Sequence, residues 1–128
     1  MILGLGLDVV EISRIARSWE KFGERFAKKL LHPLELEKMG KAGAASMPFL
    51  ASRFAAKEAA VKALGTGFSQ GVVPVDICVI SQASGLPVLR LFGKAEERLR
   101  EMGGARTHLS LTHGKETVAA VVIIEDGR

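Results

Sequence analysis

Residues 47–64, MPFLASRFAAKEAAVKAL, read as one helix that has no broad polar face and is ended by Gly65-Thr66-Gly67. Glycine ends helices in this way at the left-handed C-cap. A helix that is apolar around most of its girth has to be enclosed, so the rest of the chain must supply layers to surround it. Four charged residues nevertheless sit on it: Arg53, Lys57, Glu58 and Lys62. At about 100° per residue, Glu58 and Lys62 fall about 40° apart, on a side otherwise made of Ala51 and Ala55. Arg53 and Lys57 fall about 40° apart on another side, among Leu50, Ala60 and Leu64. Phe54 and Val61 lie between the two pairs. Charges in such surroundings are costly unless they are paired or bound to something.

The enclosing elements follow from local pattern. Residues 2–10 predict a buried strand with Asp8 near its end. Ser13 is placed to cap a helix running through about Leu31, and Pro33 stops or kinks it before a short helix in LELEKM. Small residues at 40–46 predict a loop. DICVIS and PVLRLF are strands separated by Gly85-Leu86-Pro87, residues 93–102 are a helix closed by Gly103-Gly104, and THLSLTH and TVAAVVIIE form a hairpin. The order is strand, helices, two strands, helix, two strands. It predicts a single α+β domain over residues 1–128 with a largely antiparallel sheet.

Composition narrows the class. The chain has 128 residues, 48% apolar and 25% charged, which is ordinary for a globular domain and excludes a disordered one. Cys78 is the only cysteine, which rules out an intrachain disulfide, and its setting in VDICVI predicts a buried thiol. No segment reaches the roughly 20 apolar residues of a membrane span, and MILGLGLDVVEI lacks the features of a signal peptide. A cytoplasmic protein with no membrane partner is expected. The net charge of +4 points to an anionic partner: nucleic acid, a phosphate-bearing ligand or an acidic protein.

Several residues carry candidate chemistry. Glu58 and Lys62 at i, i+4 are either a structural pair or half of a metal–phosphate site, the carboxylate holding Mg²⁺ and the lysine taking a phosphate oxygen. Asp8, a carboxylate after an apolar run, either serves the turn into the next helix or supplies a second metal ligand. The Gly65-Thr66-Gly67 turn is either a plain helix stop or an anion-binding nest of backbone N–H groups. GLGLD resembles a dinucleotide fingerprint but has Val9 where the third glycine belongs. Its glycines are better explained by close backbone packing or a bulge. His113, at the end of THLSLTH beside Leu109 and Leu111, is either structural or catalytic. Along the first helix Arg14, Arg17, Lys21, Arg25 and Lys28 repeat at intervals of 3, 4, 4 and 3. Ile15, Trp19, Phe22, Phe26 and Leu30 form a second stripe, about 125° round, toward the core. The basic stripe is a solvated face or a dock for an acidic partner. Nucleic acid is disfavoured: no nucleic-acid-binding motif is present, and aromatics that stack on bases are scarce.

Taken together, GLGLDVVEISRI, FLASRFAAKEAAVKALGTGF and HLSLTHGKETVAAVVIIE resemble the small bacterial type of 4′-phosphopantetheinyl transferase, the holo-[acyl-carrier-protein] synthase family, over nearly the whole chain. The resemblance implies transfer of phosphopantetheine from coenzyme A to a serine of apo acyl carrier protein, for fatty acid biosynthesis. It implies Asp8 and Glu58 as Mg²⁺ ligands and catalytic residues together with Lys62. It implies coenzyme contacts from Arg53, Lys62, Gly65, Thr66 and His113. Carrier protein would bind at Arg14, Arg17, Lys21, Arg25 and Phe26. The proton acceptor is left between Glu58 and a metal-bound water. The family's homotrimer, with sites between subunits, would let Arg53 and Lys57 serve a neighbouring subunit. His32-Pro33 departs from the family's Ser or Thr cap, and Thr117-Val118 from its frequent Tyr-Ala. The rival reading is a non-enzymatic basic module that docks acidic proteins or nucleic acid.

Overall fold

The helix of residues 47–64 is the centre of the fold, as its apolar girth requires. The computed structural model describes residues 1–41 and 43–128. In chain order these form β1 (Ile2–Glu11), α1 (Ile12–Phe22), α2 (Glu24–Leu30), α3 (Pro33–Met39), α4 (Met47–Leu64), β2 (Ile77–Ser81), β3 (Pro87–Leu91), α5 (Gly93–Glu101), β4 (Arg106–His113) and β5 (Thr117–Glu125). Short 3₁₀ turns occupy Ala44–Ser46 and Pro74–Asp76. Of the loop expected at 40–46, Ala42 lies outside the described residues.

The α+β architecture and the antiparallel pairing are as predicted, but the strands form two sheets. One has the order β1-β5-β4 and the other is the β2-β3 hairpin. Alternation along β5 explains how the larger sheet sits on α4. Val118, Ala120, Val122 and Ile124 are buried, and Leu50, Ala51, Ala55, Ala56 and Ala59 of α4 are equally closed to solvent. Small residues on α4 let β1 come close. A Cβ at Gly4 or Gly6 would penetrate the carbonyl oxygens of Ala63 and Ala59, respectively. This is the close packing expected of GLGLD, and it fixes the strand that carries Asp8 directly against the helix that carries Glu58 and Lys62.

Other expectations are corrected. β1 is buried on one face only: Leu5, Leu7 and Val9 point outward and are 63%, 60% and 63% exposed. The helix expected from Ser13 to Leu31 breaks at Gly23, whose φ of 59° is left-handed. Such a φ is open to glycine and strained for other residues. Glu11, not Ser13, occupies the N-cap of α1 and makes no side-chain cap bond. The break turns Phe22 out of the core stripe to 45% exposure, while Ile15 and Leu30 remain buried. Pro33 opens α3 as its first residue, where a missing N–H costs nothing. His32 caps α3 in place of the Ser or Thr that the resemblance leads one to expect. Its Nδ1 accepts from Leu34 N at 3.1 Å, and Glu35 accepts in return from His32 N at 2.9 Å. The His32 ring also stacks on Phe92, with centroids 4.9 Å apart. Cys78 is a buried free thiol, as predicted, and burial pushes its pKa up.

Candidate active site at the β1–α4 seam

Asp8 lies on the face of β1 shared by Gly4 and Gly6, so its side chain is directed at α4. There it meets Lys62, whose Nζ donates to Asp8 Oδ1 at 3.0 Å and to Leu7 O at 2.9 Å. An ammonium has three N–H donors, which leaves one free on a side chain that is half exposed. Asp8 Oδ2 is buried and has no hydrogen-bond partner. Glu58, one turn before Lys62, is half-buried. Its carboxyl is pushed up by desolvation first and by the charge of Asp8 second, against the pull of Lys62 and Arg14. The i, i+4 pair Glu58–Lys62 is not formed among the described residues, because Lys62 turns to Asp8 instead.

The seam therefore holds two neighbouring carboxylates, one with an orphaned buried oxygen and the other uncomfortable as an anion. Both features suit a hard cation. Mg²⁺ is commonly held by one or two carboxylates, waters and substrate phosphates. No group of three or more acidic, His or Cys side chains among the described residues is placed to cage a metal. The donor set thus fits an ion shared with a phosphate-bearing substrate. Asp8 and Glu58 are the residues that would hold it.

The other predicted residues are placed as follows. Arg14, exposed on α1, lies with its guanidinium 5.1 Å from the Phe54 ring centroid, and its charge reaches Glu58. The basic stripe thus begins at the edge of the carboxylate site. It runs along Arg14, Arg17 and Lys21, bends at Gly23, and continues through Arg25 and Lys28, all exposed. A cavity of about 240 Å³ beside it is lined by Phe22, Arg25, Phe26 and Lys29.

Gly65 caps α4 with φ 75°. The N–H groups of Gly65, Thr66 and Gly67 donate to Lys62 O or Val61 O, so of the two readings of this turn the helix stop holds: the donors an anion nest would need close the helix. Arg98 Nε donates to Leu64 O at 2.9 Å, satisfying another carbonyl of that end. Thr66 Oγ1 donates to Gly67 O at 2.8 Å. His113 is exposed at the end of β4, opposite Val118, which in turn pairs with Val10 of β1. It makes no contact with the Asp8–Lys62 pair.

Arg53 and Lys57 lie together on the other side of α4, and of the two Lys57 departs from expectation. Arg53 is 8% exposed, stacks 4.1 Å from the Phe49 centroid and donates from Nη1 to Ser52 Oγ at 3.1 Å. Lys57 is fully buried, and its Nζ donates to Leu30 O, to Glu35 Oε1 at 2.6 Å and to Pro74 O at 3.1 Å. With all three donors spent inside its own chain, Lys57 cannot serve a neighbouring subunit. Its partner Glu35 is the residue the sequence reading missed. The signal was available: His32-Pro33-Leu34-Glu35 has capping-box spacing between two apolar helices.

Comparison with known proteins agrees with this geometry. A sequence model of the 4′-phosphopantetheinyl transferase superfamily matches residues 4–121. The holo-[acyl-carrier-protein] synthase of Nitratidesulfovibrio vulgaris (strain DP4) is 56% identical over 125 residues, covering 98% of this chain and 99% of the relative. Among solved structures, that of holo-[acyl-carrier-protein] synthase from Neisseria meningitidis superposes with a TM-score of 0.91 at 40% identity, covering 98% of this chain and 100% of the other. The Bacillus anthracis synthase, solved in complex with CoA (3′,5′-ADP), does so with a TM-score of 0.82 at 34% identity, covering 99% of both chains. The chain belongs to the 4′-phosphopantetheinyl transferase superfamily.

Proposed function

We propose that this chain, acting over residues 1–128 as one transferase domain, moves the 4′-phosphopantetheine arm of coenzyme A onto a serine of apo acyl carrier protein for fatty acid biosynthesis. The observation that carries the reading is the seam of Asp8, Glu58 and Lys62, which brings together a buried carboxylate oxygen without a partner, a second carboxylate beside it and a lysine held by the first. The names of the relatives support the substrate pair.

Phosphoryl transfer asks for positioning and charge neutralisation more than covalent chemistry from the protein. Lys62, steadied by Leu7 O and Asp8 Oδ1, directs its remaining N–H at a pyrophosphate oxygen and offsets charge on the leaving group. Asp8 and Glu58 would hold Mg²⁺, which when bound would supply further neutralisation of phosphate charge. The serine hydroxyl oxygen forms a bond to the β-phosphorus of coenzyme A. The bond from that phosphorus to the bridging oxygen breaks, and adenosine 3′,5′-bisphosphate leaves. Glu58, half-buried at the seam beside the arriving serine, takes its proton on the carboxylate.

Arg53, Gly65, Thr66 and His113 are proposed as further coenzyme contacts. The basic face of α1 and α2 receives the acidic carrier by charge complementarity, and the Phe22–Phe26 cavity takes an apolar side chain. The outward face of the larger sheet supports a homotrimer. Leu5, Leu7 and Val9 stand opposite Ile123, Val121 and Ala119 in an apolar strip that further copies would cover. A cytoplasmic setting accords with the reaction, and no helix among the described residues is long and apolar enough to cross a membrane.

The deciding experiment is intact-mass spectrometry of apo acyl carrier protein after incubation with this protein, coenzyme A and Mg²⁺. A gain of one phosphopantetheine arm, abolished by EDTA, is expected. No gain with a folded protein and a competent carrier would refute the proposal, and carrier binding without transfer would favour the non-enzymatic docking module.

A further inference from the structure

Lys57 and Glu58 are adjacent in α4 and so point about 100° apart around it. Glu58 stays at the seam with Asp8, whereas Lys57 points into the interior toward Glu35. The Lys57 ammonium holds Leu30 O, the last residue of α2, and Pro74 O, in the turn that leads to β2. Glu35 accepts from His32 N at the start of α3 through Oε1, and from Val79 N of β2 at 3.1 Å through Oε2. One buried ion pair therefore ties α2, α3, the Pro74 turn and β2 to a single point on α4. Burial pulls the Lys57 pKa down, and the Glu35 carboxylate opposes it.

Stability alone is a poor reason for such a pair, since apolar residues of similar volume often serve as well or better. Geometric definition is what it adds. The element it grips most directly, α2, carries Arg25, Phe26, Lys28 and Lys29, the far half of the basic face. The seam itself is held independently, by the backbone contact of Gly4 and Gly6 with Ala63 and Ala59. Loosening the pair should therefore disturb the docking helices and leave the carboxylates in place. Resting on the transferase reading above, we infer that Glu35–Lys57 is a positioning pair: it sets the carrier-docking helices relative to Glu58 and so sets where the carrier's serine arrives.

The test uses Glu35→Gln combined with Lys57→Met, because Lys57→Met alone would leave the buried Glu35 carboxylate with only Arg53 Nε, 3.9 Å from its Oε2, as a cation. Thermal unfolding first fixes a temperature at which the double variant and wild type are both folded. Transfer rates are then followed by intact mass while apo carrier is varied, and coenzyme A binding is measured by calorimetry. The expected result is a fall of about tenfold in kcat/KM for carrier, the scale of a small misplacement, with coenzyme A affinity within about twofold of wild type. A folded double variant with wild-type kcat/KM for carrier would overturn the inference. An equal loss of coenzyme A affinity would do the same, since it would mean that the pair acts on the coenzyme site, through Arg53 beside Glu35 or through general disturbance, and not on the docking helices alone. Should the double variant not fold, Glu35→Gln alone is read by the same split; its one carboxamide oxygen can serve Lys57 Nζ and His32 N, but its NH₂ group cannot accept from Val79 N. A fall of about twofold or more for carrier alone then supports the pair's role, and none refutes it. If wild type itself transfers nothing, the function proposed above fails and this inference with it; if wild type transfers and the variants match it, only the positioning role fails.

Discussion

Gly6→Ala puts the seam under the most direct strain. The added Cβ would stand 2.7 Å from the Ala59 carbonyl carbon and 3.0 Å from Ala63 N, besides penetrating the Ala59 carbonyl oxygen. Carbon atoms in ordinary contact are about 3.5–4.0 Å apart, so β1 must lift from α4 by about 1 Å. Nothing flexible is available to yield, because the obstructing atoms are backbone of a helix closed to solvent at Ala59. Overpacking in cores costs roughly 1–3 kcal/mol, and backbone against backbone belongs at the top, about 3 kcal/mol. The same lift acts on Leu7 and Asp8, whose bonds to Lys62 at 2.9 and 3.0 Å would stretch beyond hydrogen-bond range. Transfer by the molecules that remain folded should fall about 100-fold, as displacements of this size do to positioned groups. Urea unfolding monitored by Trp19 fluorescence gives the stability, and intact-mass rates in the folded range give the activity. Gly114→Ala is the stability control, since its Cβ meets nothing within 4 Å. A Gly6→Ala protein within about 0.5 kcal/mol of wild type, the range of bland surface changes, would refute the argument that these glycines exist to seat β1 on α4.

Asp8→Ala and Glu58→Ala should each reduce transfer by about 1,000-fold, the effect of losing one strong electrostatic contact to a transition state, without loss of the thermal midpoint; near-full activity in both would contradict the metal assignment. Arg14→Glu with Arg25→Glu should weaken carrier binding by calorimetry about tenfold or more while coenzyme A binding holds, and an unchanged carrier affinity would remove the docking role. Leu7→Lys should shift the sedimentation mass from trimer to monomer if the exposed strip is the subunit interface, whereas an unchanged mass would place that interface elsewhere. The hydrogen bond from His108 holds the Glu125 carboxyl below its ordinary range. A depressed carboxyl contributes stability above its unfolded pKa and loses it as the pH falls through the folded one. Glu125→Gln should therefore lower the melting midpoint at neutral pH and match wild type in acid below the carboxylate range; a pH-independent difference would exclude this linkage.

What was legible in the sequence was what short-range pattern decides. The girth of α4 and its closing glycine are local facts, and both ends of that helix were found at Met47 and Leu64. The strands β2 and β3 and the β4–β5 hairpin announce themselves by apolar runs bounded by short turns, and they stand where they were read, within a residue or so. The break at Gly23 was not legible. Its flanking residues all continue a helical stripe, and glycine inside such a pattern is tolerated often enough to hide the bend. The split into two sheets is likewise a tertiary matter: β3 and β4 are each good strands, and nothing in either says whether they will share hydrogen bonds.

The charges of α4 mark the limit most clearly. A helical wheel gives direction, and it correctly separated Arg53 and Lys57 from Glu58 and Lys62. It does not give a partner, because partners arrive from other layers. Lys62 had two carboxylates within reach of its long side chain, and the strand's approach at Gly4 and Gly6 handed it Asp8 rather than Glu58. That choice leaves Glu58 without a cation of its own, beside an aspartate with a buried oxygen unused. Had the i, i+4 pair formed instead, Glu58 and Lys62 would have neutralised each other within the helix and Asp8 alone would have been left for a divalent ion. The approach of β1 thus produces the electrostatic deficit that a metal and a pyrophosphate can share, and two glycines in GLGLD are what permit that approach.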